Sequence, residues 1–306
     1  IATDRTSFEI ILREFAGFYR QAIGYEICAL APLGLDYIDF ALWQREIQSH
    51  EMLQAQRGFW RDHLKTGRLP ILEFPADKAR PPLQTFNGDQ VDVVIPLHIV
   101  SLLGSICSDE QLTMFQVMLG LWALLLCRHS GQEEVVIGVP YHGRDVAGLE
   151  QLAGYFVNML SMRIDVPGEQ SCVPFMRSVR TVAMGTLENS QLPFQLVVNE
   201  LLPDLVRQAS RNPVFQTIFV WGVDGAWVGS STETGSMFGP NVAASRVSQW
   251  QDEEAKCELG LTSTLREDGQ IAVSIKFRTD LFERATIERL ADRCVTLANS
   301  IAHSIE

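Results

Sequence analysis

The chain has 306 residues, 46% of them hydrophobic, and a formal net charge of −12 at pH 7. This length allows one large domain or two. The acidic balance argues against nucleic acid as a partner, because phosphate binding needs clustered Lys and Arg. The longest apolar run, residues 117–127, is shorter than the ~18 residues of a membrane span. The six cysteines are scattered, which is typical of reduced thiols in a cytoplasmic protein.

The first predicted element is an amphipathic helix over residues 6–22. Thr6 and Glu9 are spaced as a capping box, in which the hydroxyl accepts a backbone amide and the Glu side chain reaches back. Apolar residues then recur at helical spacing, at Phe8, Ile11, Leu12, Phe15 and Tyr19. This periodicity predicts a helix with one apolar face.

Residues 36–65 are also predicted to be helical. Prolines 70, 75, 81 and 82 then make 68–87 an extended crossover and a boundary between two lobes. Further helices are expected at 97–107, 113–128, 172–188, 195–202 and 282–303, and Thr113 can cap the second of these. Strands are expected at 91–95, 134–139, 156–166 and 214–221, with a hairpin over 257–278 around Glu267-Asp268-Gly269. Since the hairpin is antiparallel, the pattern predicts an α/β fold with a mixed sheet and helices packed on it.

Four blocks of sequence carry a resemblance to a known family. They are residues 37–44 (YIDFALWQ), 154–163 (GYFVNMLSMR), 191–194 (QLPF) and 210–213 (SRNP). In this order and at this spacing, they resemble the condensation domains of nonribosomal peptide synthetases. The resemblance implies a chloramphenicol-acetyltransferase-like fold of two lobes around a tunnel. Residues 1–67 would complete the N-terminal lobe, 68–87 would link the lobes, 88–306 would form the C-terminal lobe, and 222–250 a latch-like loop.

The signature of that family is His-His-x-x-x-Asp-Gly, followed by a helix. Asp4 matches the Asp of this motif, and Arg5 stands in place of its Gly. The second His, the presumed catalytic residue, is expected one position before Ile1. The chain is therefore expected to begin just past its active-site histidine, without most of the N-terminal lobe. Gly often supplies a positive φ angle in a tight turn, so Arg5 predicts either a loop of another shape or a degenerate motif.

The resemblance implies catalytic roles for Asp4, Arg144 and Asn212. Asp4 would form an ion pair with Arg144, in the block Pro-x-x-Gly-Arg, and orient the site without transferring a proton. Taken without the resemblance, Asp4 is an acid at a positive helix end, and Asn212 before a proline is a turn former. In the family's channel, the Asn212 amide would either bond a substrate carbonyl or hold a loop.

His142 and Asn158 are the candidates for the substrate channel. His142 is either a loop residue or a substitute base, which would have to reach the attacking amine within hydrogen-bond distance. Asn158 is expected to tie the backbone. The aromatic members of the blocks are expected to pack as scaffold, namely Tyr37, Trp43, Phe156 and Phe194. The histidines form no metal-binding set, so no metal site is expected.

The chain has no nucleophile elbow and no phosphate-binding glycine loop. This agrees with the family's chemistry, in which an acceptor amine attacks a donor thioester directly to form an amide. The resemblance implies no cofactor bound by the domain itself, since the phosphopantetheine arms belong to peptidyl or acyl carrier proteins. Those carriers, adjacent synthetase domains and the missing N-terminal lobe are the expected partners.

Two alternative functions stay open on the sequence. One is an ester-forming relative with a hydroxyl acceptor. The other is a catalytically silent recruitment domain, for which Arg5 and Gln195 are the support, because the family usually has Glu at the position of Gln195. The chain by itself is expected to be inactive.

Overall fold

The structure is a computed structural model. It describes residues 2–25, 27–47, 51–65, 69–202, 208–223, 238 and 254–304. The chain divides into two compact units. The first comprises Ile1–Ala55, Tyr141–Asn158 and Gly225–Trp250, and the second comprises Gln56–Pro140, Met159–Asp224 and Gln251–Glu306. The lobes and linker inferred from the sequence stay predictions, and the latch predicted at 222–250 lies almost wholly outside the described residues.

The expected types of element are confirmed, with bounds shifted by a few residues. The helices are α1 (Arg5–Ala22), α2 (Tyr37–Glu46), α3 (Glu51–Leu64), α4 (Leu97–Asp109), α5 (Met114–Ser130), α6 (Cys172–Glu188), α7 (Phe194–Leu196) and α8 (Arg284–Ala302). The short α7 runs into a π-helical turn (Val197–Leu201). The strands are β1 (Gly88–Ile95), β2 (Glu134–Tyr141), β3 (Asn158–Asp165), β4 (Thr217–Val223), β5 (Leu259–Leu265) and β6 (Ile271–Arg278). Between α3 and β1, residues 69–87 contain no helix and only an isolated bridge at Asn87, as the prolines predict.

The strands form one mixed sheet in the order β1-β6-β5-β4-β2-β3. Strand β4 runs parallel to both β2 and β5, while β6 is antiparallel to β5 and β1. The predicted hairpin is present, with Leu259 opposite Phe277 and Leu265 opposite Ile271. The predicted α/β class with a mixed sheet is therefore confirmed.

Helix α5 lies at the centre of the second unit. A capping box joins Thr113 and Gln116 at its start, as predicted for Thr113. Most of its residues are buried, which explains why its sequence is apolar on all sides. The indole Nε1 of Trp122 donates to Thr217 Oγ1 at 3.0 Å, so the polar atom of this buried ring is satisfied.

Helix α1, in the first unit, begins at Arg5, one residue before Thr6, the first residue of the predicted capping box. Its N-cap is Asp4, whose side chain accepts the Ser7 N–H at 2.8 Å. The predicted cap by Thr6 and Glu9 is therefore wrong, and Glu9 pairs with Arg5 instead, at 3.2 Å. A carboxylate wins over a hydroxyl here because its charge is favourable at the N-terminus of a helix.

The apolar face of α1 lies on the surface. Its buried residues are Ser7, Ile10, Ala16 and Gly17. Phe8, Ile11 and Phe15, by contrast, keep about half of their surface exposed (48%, 44% and 59%). The helix is thus amphipathic as predicted, and its predicted apolar stripe stays about half exposed, with Phe15 and Tyr19 in edge contact with Phe238.

No single helix among the described residues is long and apolar enough to cross a membrane. Helices α4 and α5 pass the same test of length and hydropathy only as a pair, with a bend of 109° between them.

The partly buried ring of His63, on α3, is held in its neutral form. Its Nε2 lies 3.1 Å from both Ser161 O and the Arg163 backbone N, and the ring stacks on Phe59. Burial lowers the pKa of His63 to about 4, and the nearby Arg163 acts in the same direction. Unfolding returns the imidazole to its ordinary pKa of about 6.5.

We expect the second unit to lose stability as the pH falls from about 6.5 towards 4, because only the unfolded chain then takes up the His63 proton. Between pH 7 and 5, the free energy of unfolding should fall by about 2 kcal/mol. Urea unfolding at the two pH values measures this fall, and His63→Gln is the matched control because it cannot titrate. An equal fall in His63→Gln would assign the effect to another group.

Candidate functional site

Asp4 lies at the centre of a hydrogen-bond cluster at the start of α1. Its Oδ1 accepts the Ser7 backbone N–H at 2.8 Å and the Ser7 hydroxyl at 2.7 Å. Its Oδ2 accepts the Phe156 backbone N–H at 3.1 Å. Burial raises the pKa of Asp4, but the hydrogen bonds from Ser7, Phe156 and Arg144 outweigh it and leave the pKa below its ordinary value. The carboxylate is therefore ionised at neutral pH.

Arg144 supplies the cation for this carboxylate. Its Nη2 donates to Asp4 Oδ1 at 3.0 Å and to Ser7 Oγ at 2.8 Å. Its Nη1 donates to the carbonyls of Leu149 and Leu152. Both side chains of the pair are almost wholly buried, with 4% of Arg144 and 2% of Asp4 exposed. The ion pair predicted from the sequence is confirmed, and one guanidinium joins α1 to the loop that follows β2.

Ser7 and Gly154 complete the cluster, and neither was predicted from the sequence. Ser7 Oγ accepts from the Gly154 N–H at 2.9 Å and shares its single proton between Asp4 Oδ1 and Gly154 O. The Asp4 N–H donates to Gly154 O at 3.2 Å. The sequence does contain a serine three residues after the aspartate that caps the helix. It gives no local sign of the partner of this serine, Gly154, which lies far along the chain.

Gly143 allows the loop to approach the Phe156 peptide. Its φ of +66° belongs to the left-handed region, which residues with a Cβ adopt at a cost. A Cβ at this position would lie 2.1 Å from the Phe156 carbonyl oxygen. The glycine of the Pro-x-x-Gly-Arg block is therefore required by its conformation and by its contact.

Arg5 does not disturb the cluster. It is the first residue of α1, and it is not among the described residues with positive φ. Its guanidinium pairs with Glu9 on the exposed side of the helix. Arg5 therefore needs no positive φ angle at this position.

His142 is placed on the same loop, but it presents no free lone pair to a substrate. Its Nδ1 accepts the Arg144 backbone N–H at 3.1 Å, so Nε2 carries the ring proton and faces Asp145 at 3.8 Å. A general base must accept a proton from the attacking group. Of the two roles left open by the sequence, this geometry favours the loop residue, and the channel role of His142 stays a prediction.

The packing role predicted for the aromatic residues is confirmed for Phe156. It forms a buried cluster with Phe40, Leu149 and Leu152, against which Trp43 packs. The Arg144 guanidinium lies 4.1 Å from the centre of the Phe156 ring. Asn158 is the half-buried first residue of β3. In the described part of the chain, no group of His, Cys, Asp or Glu is arranged to hold a metal ion.

Asn212, in the second unit, holds a loop through its side-chain amide. Its Nδ2 donates to Lys256 O at 3.0 Å and to Cys257 Sγ at 3.1 Å. Both amide donors are thus used within the protein, while Oδ1 accepts no hydrogen bond from the described residues. Of the two roles left open by the sequence, this geometry favours holding the loop, and it leaves an acceptor rather than a donor for a substrate.

Asn212 also lines a cavity of about 280 Å³. The other lining residues are Phe194, Gln195, Val198, Pro213, Val214 and Phe215. A channel at Asn212 was predicted from the sequence, but this cavity was not, because two separate segments, 194–198 and 212–215, build it.

Comparison with known proteins decides the family. The family model described as "Condensation domain" matches residues 1–306. This chain belongs to the condensation domain family. Its fold class is accordingly the chloramphenicol-acetyltransferase-like α/β fold that the sequence motifs predicted.

Relatives of this condensation domain are found in large synthetases. The chain is 33% identical to malpinin synthetase of Mortierella alpina over 94% of its length, and 32% identical to tyrocidine synthase 3 of Brevibacillus parabrevis over 98%. The matched region makes up only 4% of each of these two proteins.

Solved structures agree on the fold. The X-domain from teicoplanin biosynthesis matches 98% of this chain with a TM-score of 0.82 at 23% identity, and the match covers 67% of that chain. The X-domain in its complex with OxyB matches 99% of this chain, with a TM-score of 0.81 at 23% identity, over 65% of that chain. At this identity, the likeness establishes the fold alone.

Proposed function

We propose that this chain forms part of the active domain that joins an acyl group on one carrier protein to an amine on the next. The acceptor nitrogen attacks the donor thioester, a C–N bond replaces the C–S bond, and the donor thiol leaves with the proton of the amine. The observation that carries this proposal is the buried Asp4–Arg144 pair at the start of α1, in a chain matched by the condensation family over residues 1–306.

Asp4 and Arg144 act in this proposal as positioning groups. The Asp4 carboxylate is ionised and accepts hydrogen bonds from Ser7, Phe156 and Arg144, so its lone pairs are engaged. A carboxylate in this state orients its surroundings rather than exchanging protons. The base or alignment role is then left to the histidine of the family's signature motif.

Direct attack without a covalent intermediate is supported by the state of three of the six thiols. Burial raises the pKa of Cys127, Cys257 and Cys294 to about 12, so these thiols are protonated and weakly nucleophilic. A domain without a nucleophile works mainly by alignment, which supplies up to ~7–11 kcal/mol of the barrier. The free Oδ1 of Asn212 is the proposed acceptor for a substrate N–H.

The proposed partners are carrier proteins, whose phosphopantetheine arms supply the thioesters, together with neighbouring synthetase domains. The domain needs no cofactor of its own in this scheme. The exposed apolar face of α1, with Phe8, Ile11 and Phe15, supports packing against the N-terminal lobe of a condensation domain. A cytoplasmic location is supported by the six cysteines, all of which are free.

A recruitment domain is the second candidate, favoured by the likeness to the X-domain, which has been solved in a complex with OxyB. The exposed Gln195, where the family usually has Glu, is compatible with a lost catalytic function. In this alternative, the domain would keep its fold and dock a partner protein without forming a bond.

The test is an acyl-transfer assay with two loaded carrier proteins and a protein that combines residues 1–306 with a condensation N-terminal lobe. Intact-protein mass should show the acyl group on the acceptor carrier, and resistance of the new bond to alkali should identify an amide. An alkali-labile product would identify the ester-forming relative. Carrier binding without any product would favour the recruitment domain, and turnover by residues 1–306 alone would contradict the need for the other lobe.

A further inference from the structure

Two arginines from distant parts of the second unit converge on one backbone carbonyl. Arg80, in the crossover, donates from Nη1 to Ser210 O at 3.3 Å. Arg278, at the end of β6, donates from Nη1 to the same oxygen at 3.3 Å. Ser210 begins the Ser-Arg-Asn-Pro turn, two residues before Asn212.

Each guanidinium is fixed by a carboxylate. Arg80 forms a bidentate pair with Glu258, at 2.7 and 2.8 Å. Arg278, which is fully buried, donates through Nε and Nη2 to Asp280. A planar guanidinium held at two points has the direction of its remaining N–H groups set, which an ammonium cannot reproduce.

The partner of Arg80 also connects to the Asn212 side chain. Glu258 directly follows Lys256 and Cys257, the two residues that accept the Asn212 amide. The turn is thus held at the Ser210 carbonyl by both arginines and at the Asn212 side chain by the segment that carries Glu258. The Asn212 backbone carbonyl is fixed as well, because it accepts from Gln216 Nε2 at 2.8 Å.

We propose that Arg80 and Arg278 are positioning residues, which hold the Ser210–Pro213 turn so that Asn212 keeps its place on the wall of the 280 Å³ cavity. The proposal rests on the role given to Asn212 above. Buried ion pairs contribute little net stability, because removing two charges from water offsets their attraction. Two such pairs aimed at one carbonyl are better explained by the geometry they impose.

The rate at which iodoacetamide modifies the thiols of the whole chain tests whether the arginines hold the turn. This measurement needs no catalytic activity. The variant Arg80→Gln/Glu258→Gln removes the pair and leaves no buried carboxylate alone. Because local opening exposes only the loosened segment, iodoacetamide should modify Cys257 about tenfold faster than in the wild type, while Cys294 on α8 stays unchanged. Unchanged rates at Cys257, or equal increases at both thiols, would overturn the proposal.

Acyl transfer tests whether holding the turn matters for catalysis. It is measured in the two-lobed protein, which combines residues 1–306 with a condensation N-terminal lobe. The Arg80→Gln/Glu258→Gln variant should lower kcat by about 10- to 100-fold, with the KM for the acceptor carrier unchanged, since a displaced contact costs this much. In an Asn212→Ala background, the same change should cause no further loss. Additive losses would show that Arg80 acts otherwise than through Asn212. Wild-type transfer by Asn212→Ala would refute the role of Asn212 itself, while the alkylation rates would still decide whether the arginines hold the turn.

Discussion

Replacing Arg144 by methionine is expected to destabilise the first unit by about 3–5 kcal/mol, because the Asp4 carboxylate stays buried without a cation. The Ser7 hydroxyl and the carbonyls of Leu149 and Leu152 lose a donor at the same time. Hydrogen exchange read by mass spectrometry, on peptides that contain Ser7 and Phe156, measures the loss in this unit alone.

Two further variants separate the effect of the unpaired charge from the effect of losing the shape of the guanidinium. Asp4→Asn/Arg144→Met removes both charges and should recover part of the lost protection, whereas Arg144→Lys should recover little, because one ammonium cannot reach Asp4 and the two carbonyls together. Folding lowers the pKa of Asp4. The pair therefore stabilises the unit at pH values above the unfolded pKa of about 3.9. This stabilisation disappears as the pH falls through the lower pKa of Asp4 in the folded chain. Equal protection in wild type and Arg144→Met at pH 7 would contradict the assignment.

Gly143→Ala is expected to have an effect of similar size. Its Cβ would meet the Phe156 carbonyl oxygen at 2.1 Å, so the backbone must shift and the hydrogen bond from Phe156 N–H to Asp4 is lost. The left-handed conformation costs roughly 1–2 kcal/mol for alanine, and a hydrogen bond to a charged group is worth about 1.5–3 kcal/mol. The loss should therefore reach about 2.5–5 kcal/mol, measured by the same exchange at Phe156.

Gly24→Ala is the matched control for this prediction. Gly24 lies in the same unit with a φ of +80°, and a Cβ there would have no atom within 4 Å. It should show only the conformational cost and leave exchange at Phe156 unchanged. Equal effects of the two substitutions would mean that the contact with Phe156 carries no weight.

Much of this fold could be predicted because its signals are local. The α6 bounds, the cap at Thr113 and the hairpin at Gly269 depend on residues that lie close together along the chain. The cap of α1 was misplaced because Thr6 and Glu9 fit a local rule, while the stronger acceptor Asp4 is bound by groups from residues 144–156.

The site could be predicted only where a motif named both partners. Asp4 and Arg144 were paired in this way, and the structure confirms the contact. Ser7 could not be linked to Gly154, because 147 residues separate them. The arginines on Ser210 left no pattern either, since Arg80 lies in the crossover and Arg278 at the end of β6, both far from Ser210 along the chain. The roles of His142 and Asn158 in a channel stay predictions.

The single-turnover rate of acyl transfer, in wild type and Arg144→Met of the two-lobed protein, tests the central claim most directly. We expect an amide product in the wild type, and a rate about 100-fold lower in Arg144→Met with carrier binding intact, because the pair aligns the site. Gly24→Ala should transfer at the wild-type rate. A wild type that binds both carriers and forms no product, or an Arg144→Met variant that transfers at full rate, would contradict this claim.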